Sequence, residues 1–284
     1  MKQFAFLCIA VFCIASAQSG STQASASPGT HDGRFVFDVP GVIGRSAVVL
    51  GKPNLEPSEA MPVGNGRLGV AVWSAEGFTA QLNRADTMPG RLSPGHVVIP
   101  GLAALTHAKD YAGRLDLYRG EFREQGGGMT ATAYVEPDTD ALIVAVTGAD
   151  PNQAQTAALK LWAPRSPTAA AEGRTGSLAE SWVDDTNPGA SGRAFGTLSA
   201  ITAEGVGVAA TVTEPRTITV TFRPFPDGHF RVRVAVPHFD GSGDTKAVAG
   251  RDLAPQPDAA HASWWAGFWK RAAMIKITSK DGAG

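Results

Sequence analysis

Between Arg34 and Val236 the sequence keeps returning to one device, a short run of period-two or β-branched character closed by a turn signal. The runs are Arg34 to Val39, Ser46 to Leu50, Leu68 to Trp73, Phe78 to Leu82 and Leu115 to Tyr118. They continue through Met129 to Val135, Ala141 to Val146, Ala157 to Trp162 and Ser177 to Val183. The last four are Phe195 to Ile201, Val206 to Val212, Thr217 to Phe222 and Phe230 to Val236. Ala75-Glu76-Gly77, Pro137-Asp138, Pro226-Asp227-Gly228 and Asp240-Gly241 are the clearest of the separating turns. Side chains alternate faces along a strand, so such runs each offer one apolar face, and stacking two sheets of them buries those faces together. Thirteen runs with almost no helical period between them predict an all-β fold, a large two-sheet antiparallel β-sandwich. Ser166 to Gly176, rich in Ala and Gly without a period, reads as an exposed loop.

The ends differ from this middle. Lys2 followed by the unbroken apolar stretch Phe4 to Ala15 and the small-x-small triplet Ala15-Ser16-Ala17 reads as a signal peptide over residues 1–17. That stretch is too short for the roughly 20 residues of a spanning helix, so no membrane attachment is expected after cleavage. Both cysteines, Cys8 and Cys13, fall inside it, and the mature chain is expected to hold neither disulfide nor thiolate. The expected location is periplasmic or secreted. Residues 18–33 are mostly Ser, Thr, Ala, Gly and Gln, a composition that buries little, and read as a flexible leader. After the sandwich, placed at 34–250, residues 251–284 carry one helical signal. Asp258 is placed to cap a helix whose Trp264, Trp265, Phe268 and Trp269 share one broad face. The chain then stops at Asp281-Gly282-Ala283-Gly284, which reads as a cut into the start of a further helical domain.

Composition removes whole classes of partner. Lys plus Arg number 25 against 26 Asp plus Glu, for a net charge of -1, so there is no basic excess to neutralise a phosphate backbone, and nucleic acid is not an expected partner. The six histidines show no H-x-x-x-H or H-E-x-x-H spacing, and no metal or other cofactor is expected. Gly64-Asn65-Gly66-Arg67-Leu68-Gly69 satisfies G-x-G-x-x-G, but that fingerprint needs a strand before it and a helix after it. Prolines before it and the strand-like Val70 to Trp73 after it make it a glycine-rich turn leading into a strand. Asp240 to Asp244 opens like a calcium loop, yet Thr245 and Arg251 stand where Gly and Glu are required. No Ser lies in G-x-S-x-G. Acids do pair, at Asp184-Asp185, Glu121 with Glu124, and Glu136, Asp138 and Asp140, but all neighbour turn residues and read as solvated charges.

One stretch adds a family likeness. Glu59-Ala60-Met61-Pro62-Val63-Gly64-Asn65-Gly66-Arg67-Leu68-Gly69, followed by Gln81-Leu82-Asn83-Arg84-Ala85-Asp86-Thr87, resembles the opening of glycoside hydrolase family 95, the inverting α-L-fucosidases. That family reads approximately E-A-L-P-I-G-N-G-R-L-G, then Q-L-N-E-D-T-L-W. Arg84 and Ala85 stand where the family has Glu, and Met88-Pro89-Gly90 replaces Leu-Trp-Ser-Gly, the marks of a divergent relative. Leu115 to Gly120 is similar to the family's L-D-L-x-x-G segment, and His261 to Trp269 to the helix that leads from its sandwich into an (α/α)6 toroid.

The resemblance implies a sandwich of the supersandwich type, a carbohydrate substrate, and hydrolysis with inversion by carboxylates in a downstream (α/α)6 domain. No catalytic residue is then expected in this chain. Asn65, Arg67, Asn83 and Asp86, as polar groups of the matching motifs, are the candidates for hydrogen bonds to sugar hydroxyls, with turn capping as their other reading. Trp264, Trp265, Phe268 and Trp269 are the candidates for packing against the toroid, the other use of Trp264, Trp265 and Trp269 being to stack on sugar rings. The competing expectation is a non-catalytic carbohydrate-binding or structural sandwich module.

Overall fold

A computed structural model of the protein describes residues 29–31, 34–36, 38–86, 92–184 and 192–272. The signal peptide and most of the leader read from the sequence lie outside these residues, as do Asp185 and the chain after 272. In chain order the first elements are β1 (Gly29–His31), β2 (Arg34–Val36), α1 (Val39–Gly44), β3 (Val48–Leu50), β4 (Met61–Gly64), β5 (Leu68–Trp73) and β6 (Phe78–Arg84). Next come β7 (Gly95–Ile99), α2 (Ala103–Thr106), β8 (Ala112–Asp116), β9 (Glu121–Gly126), β10 (Met129–Val135) and β11 (Ala141–Thr147). They are followed by β12 (Gln155–Lys160), β13 (Thr168–Glu172), β14 (Thr175–Asp184), β15 (Arg193–Glu204), β16 (Val206–Glu214), β17 (Thr217–Arg223) and β18 (Phe230–Ala235). Two helices are the last elements among the described residues, α3 (Thr245–Leu253) and α4 (Asp258–Arg271).

The fold is the expected antiparallel sandwich followed by a C-terminal helix. One sheet has nine strands in the order β13-β14-β15-β18-β11-β10-β9-β8-β3, the other seven in the order β16-β17-β12-β7-β6-β5-β4. Period-two alternation does what it predicts: in β10, Ala131, Ala133 and Val135 are buried while Thr130, Thr132 and Tyr134 face outward. The inward rows of both sheets, with Phe78, Leu82, Phe122, Leu142, Leu159 and Phe230 among the bulkiest, make one continuous core. No helix among the described residues is long and apolar enough to cross a membrane.

Several local expectations are corrected. Ser166 to Gly176 is not a loop but the hairpin of β13 with β14, turning at Gly173 with φ +56°. As an edge strand it is mostly exposed on both faces, which is why it shows no hydrophobic period. The strand read at Arg34 to Val39 ends at Val36, and Asp38 caps the short α1 by accepting from the Gly41 amide at 3.1 Å. Gly29–His31, read as the end of the leader, pairs with Arg34–Val36. Five strands went unread, β1, β4, β7, β9 and β13. Pro62 disguised β4, which as the last strand of its sheet can lack a donor on its free side. The glycine motif therefore does follow a strand, but it leads into another antiparallel one.

The helix α3 was also unread. The Asp240 to Asp244 loop ends with Asp244 accepting from the amides of Lys246 and Ala247 at 2.9 and 3.2 Å, an N-cap that starts α3. The helix lies on the outer face of the nine-stranded sheet, where Ala249 meets Leu198, Ala200 and Phe239 in a second small core. It spans the boundary placed at residue 250. Asp258 begins α4, while the N-cap position belongs to Pro257.

Candidate functional site

The motif that carried the resemblance folds as the hairpin of β4 and β5, with Gly66 at φ +91° supplying the left-handed residue of the turn. Asn65 holds that turn from within: its Oδ1 accepts from the amides of Arg67 at 3.0 Å and Leu68 at 2.9 Å. Its Nδ2 crosses to the other sheet, donating to the carbonyls of Glu136 and Thr139 at 3.0 and 2.9 Å and to Asp140 Oδ1 at 3.1 Å. The segment it reaches, 136–140, is the connection from β10 to β11. Arg67 follows, donating through Nε to Asp140 at 2.9 Å and through Nη2 to the Pro137 carbonyl at 3.3 Å.

Arg84, at the end of β6, is the centre of the cluster. Its side chain is only 2 % exposed. It holds Asp86 through two parallel bonds of 2.7 Å, Asp140 Oδ2 at 2.8 Å, and the carbonyl of Val236 just past β18. β4, β5 and β6 belong to the seven-stranded sheet, whereas β10, β11 and β18 belong to the nine-stranded one. The cluster therefore stitches one end of the sandwich across both sheets. Beside it Arg233, buried on β18, donates to Glu136 Oε1 at 2.8 Å, and Thr139 donates to Oε2 of the same carboxylate at 2.6 Å.

The acids of this cluster are held ionised. For Asp86 the hydrogen bonds from Arg84 are the main cause of its lowered pKa. Burial alone would raise Asp140, but the hydrogen bonds from Arg84, Asn65 and Arg67 and the charge of Arg84 override it, so its pKa too is lowered. Asp252, half-buried at the end of α3, moves the other way because of burial and then the charge of Asp140. An ionised Asp140 bound to two guanidinium groups can fix a position or accept a hydrogen bond; it has no proton to give.

No family model matches the chain, and no curated protein matches its sequence. Solved structures do match. One is of a proposed kojibiose phosphorylase from human microbiome, at 11% identity and TM-score 0.48, with 79% of this chain and 37% of that one covered. A second is an inverting mannosidase of glycoside hydrolase family 92 from Bacteroides thetaiotaomicron, at 11% identity and TM-score 0.38, with 74% of this chain and 32% of that one covered. A third is a family 92 α-mannosidase from Bacteroides thetaiotaomicron, at 10% identity and TM-score 0.30, with 78% of this chain and 36% of that one covered. The chain spans about a third of the length of each.

Of the four candidate residues, the structure brings together Asn65, Arg67 and Asp86, joined through Arg84 and Asp140. Arg67 and Asp86 remain 50 % and 40 % exposed, whereas the Asn65 amide is committed to internal bonds. Asn83 stands apart. It is adjacent to buried Arg84 on β6, so it points to the opposite face, where it is exposed and accepts from Gln81 Nε2 at 3.4 Å. The residues missed were Arg84, Arg233, Glu136 and Asp140. The last two were read as solvated loop charges and are in fact buried. The same correction applies to Glu124, 1 % exposed, which accepts from Tyr111 at 2.8 Å and Ser74 at 2.9 Å inside the sandwich.

Glu124 yields a pH prediction. Burial raises its pKa above the ordinary 4.5, only partly offset by the Tyr111 and Ser74 hydrogen bonds. The folded chain then holds this proton more tightly than the unfolded one, so stability falls as pH rises from the ordinary value through the raised one. Glu124→Gln is expected to be more stable than the parent chain at pH 7 and to flatten that part of the profile. Urea titrations at about pH 5 and 7.5 check it; an unchanged slope in the variant would show that the carboxyl is not the source.

The helix α4 packs its aromatic face unevenly. His261 is buried against Tyr134 with ring centroids 4.3 Å apart, and Trp269 donates from Nε1 to the Leu117 carbonyl at 3.0 Å. Trp265 sits where a Cβ on Gly120 would lie. Trp264 and Phe268 stack on each other with planes 6° apart, and Phe268 stays exposed. Two of the four aromatics named from sequence thus serve the sandwich itself.

Proposed function

We propose that this sandwich is the N-terminal part of an exported glycoside hydrolase that cleaves oligo- or polysaccharides by inversion. Its catalytic carboxylates would lie in an (α/α)6 domain beyond α4, and Trp264 and Phe268 would form part of the surface that domain covers. The observation that carries the reading is the convergence of the two family-like stretches. Residues 59–69 and 81–86 are separate in sequence, yet they occupy three adjacent antiparallel strands, with Leu68 paired to Arg84 and Gly69 to Asn83, and they end in one cluster around Arg84. Consecutive strands usually pair, so the pairing itself is ordinary; the reading is supported by the polar residues of both stretches meeting in one cluster around Arg84 and Asp140 rather than only capping separate turns. The ionised state of Asp86 and Asp140 fits a buttressing role, because an inverting glycosidase needs one carboxyl that keeps its proton near neutral pH.

Two measurements on the native exported protein test this. Its intact mass is expected to exceed the 29.4 kDa of the present chain, and it is expected to turn over aryl glycosides that this 284-residue chain alone leaves intact. Turnover by the 284-residue chain itself would overturn the division of labour.

A further inference from the structure

The outer face of the seven-stranded sheet gathers a set of side chains that the ion-pair cluster does not use. Register places them. Lys160 on β12 pairs with His96 on β7, His96 with Gln81 on β6, and Gln81 with Ala71 on β5. One step along lie Trp162, just past β12, and Asn83, paired with Gly69. Leu159, Leu161, Val97, Leu82 and Val70 alternate with them and are buried, which confirms that this row looks away from the core.

Trp162 keeps 41 % of its surface open although it is among the most hydrophobic side chains available. It is not loose: its ring stacks on the His96 imidazole with centroids 4.8 Å apart and planes 27° apart. Burial, and then the charge of Lys160, lowers the His96 pKa, so the imidazole beneath the indole is neutral at pH 7. Two strands away, about 10 Å at the usual spacing, the amides of Gln81 and Asn83 face solvent side by side. Between them and the sheet edge the floor is bare. A Cβ on exposed Gly69 would meet nothing nearer than 3.9 Å, so packing does not demand glycine there.

We propose that this face is a binding surface for neutral oligosaccharide, with Trp162 as the stacking platform and Gln81 and Asn83 as the hydroxyl-binding groups. The inference rests on the carbohydrate reading above and gives it a place. A pyranose has one apolar C–H face, which an indole complements, and a rim of hydroxyls that each donate and accept. A primary amide offers both functions in a fixed plane, so a Gln and Asn pair suits such a rim. A polyanion would call for several cations, and here Lys160 is the charge the strand register brings to the row. The His96 contact holds the indole in place before binding, which reduces the ordering cost.

The test is affinity electrophoresis of the 284-residue chain in native gels containing dextran, α-mannan, xyloglucan or laminarin, with alginate as the charged contrast. At least one neutral polysaccharide is expected to retard the chain. Trp162→Ala is expected to weaken that retardation about ten-fold, and Trp162→Phe to keep most of it. Gly69→Val, which fills the floor with a residue that suits a strand, is expected to weaken it while leaving the denaturation midpoint in place. Phe268→Ala, at the exposed aromatic of α4, is expected to change nothing. Retardation that survives Trp162→Ala and Gly69→Val, or that is lost in Phe268→Ala, would overturn the site and leave the carbohydrate reading standing. Retardation by alginate alone, or by no polysaccharide, would also overturn the site; the hydrolase reading would then be decided separately by turnover of the native protein.

Discussion

Arg84→Ala is expected to cost about 3–5 kcal/mol of folding stability, the range for removing one partner from a buried ion pair. Three groups lose a donor at once: the Asp140 carboxylate, the Val236 carbonyl and Asp86. Arg67 and Asn65 still contact Asp140, but from the turn of a hairpin whose own position the cluster sets. The informative comparison is Asp86→Ala. Asp86 makes the shorter and more numerous bonds to Arg84, yet its carboxylate is 40 % exposed against 11 % for Asp140, so its loss is expected to cost under about 1 kcal/mol. Urea midpoints followed by tryptophan fluorescence give both values. Equal costs would mean that the arginine acts through Asp86 at the surface and not by joining the two sheets.

The same cluster fixes the acid limb of stability. Asp86 and Asp140 both have folded pKa values below the ordinary 3.8, so their contribution is complete above that value and is lost as pH falls through the lowered one. In Arg84→Ala the main cause of the Asp86 shift and the largest pKa-lowering interaction of Asp140 are gone, and the acid transition is expected to move to higher pH.

How much of this was legible in the sequence follows from the range of each interaction. Leu68 to Trp73 and Met129 to Val135 were bounded correctly because side-chain alternation is a property of the strand alone. The strand β9 was not, because its inward row is Phe122, Glu124 and Gly126, and a carboxyl at a core position breaks the pattern that identifies a strand. Its cause is non-local: the hydroxyls that donate to Glu124 in the core come from Tyr111 and Ser74. Glu136 and Asp140 looked solvated for the same reason. Their arginines stand 97 and 56 residues away in sequence and meet them only once both sheets have formed. Asn65 and Arg67 were found because a motif marked them; Arg84 was noticed only as a departure from that motif, though it carries the cluster. A single charged residue next to a turn says nothing about which charge will face it, whereas a Trp-rich helical face announces that something must cover it.

What covers the inner half of that face is testable at one atom. Gly120 sits in the connection from β8 to β9 at φ +63°, and a Cβ there would overlap the Trp265 ring. Gly120→Ala thus carries two separate costs, about 1–2 kcal/mol for placing an L-residue in the left-handed region and the displacement of Trp265. The second is the larger consequence, because Trp265 touches His261, Phe268 and Trp269, and moving it lifts the whole aromatic face of α4. The variant is expected to keep the sandwich, to shift tryptophan emission to longer wavelength, and to become open to protease between α3 and α4. The double-variant cycle separates the two costs: in a Trp265→Ala background the overlap no longer exists, so Gly120→Ala should cost only the backbone strain. An equal cost in both backgrounds would mean that α4 is held without the Trp265 contact. The outward pair Trp264 and Phe268 would then be positioned by Trp269 and His261 alone, and the surface proposed to meet a catalytic domain would not depend on the glycine turn.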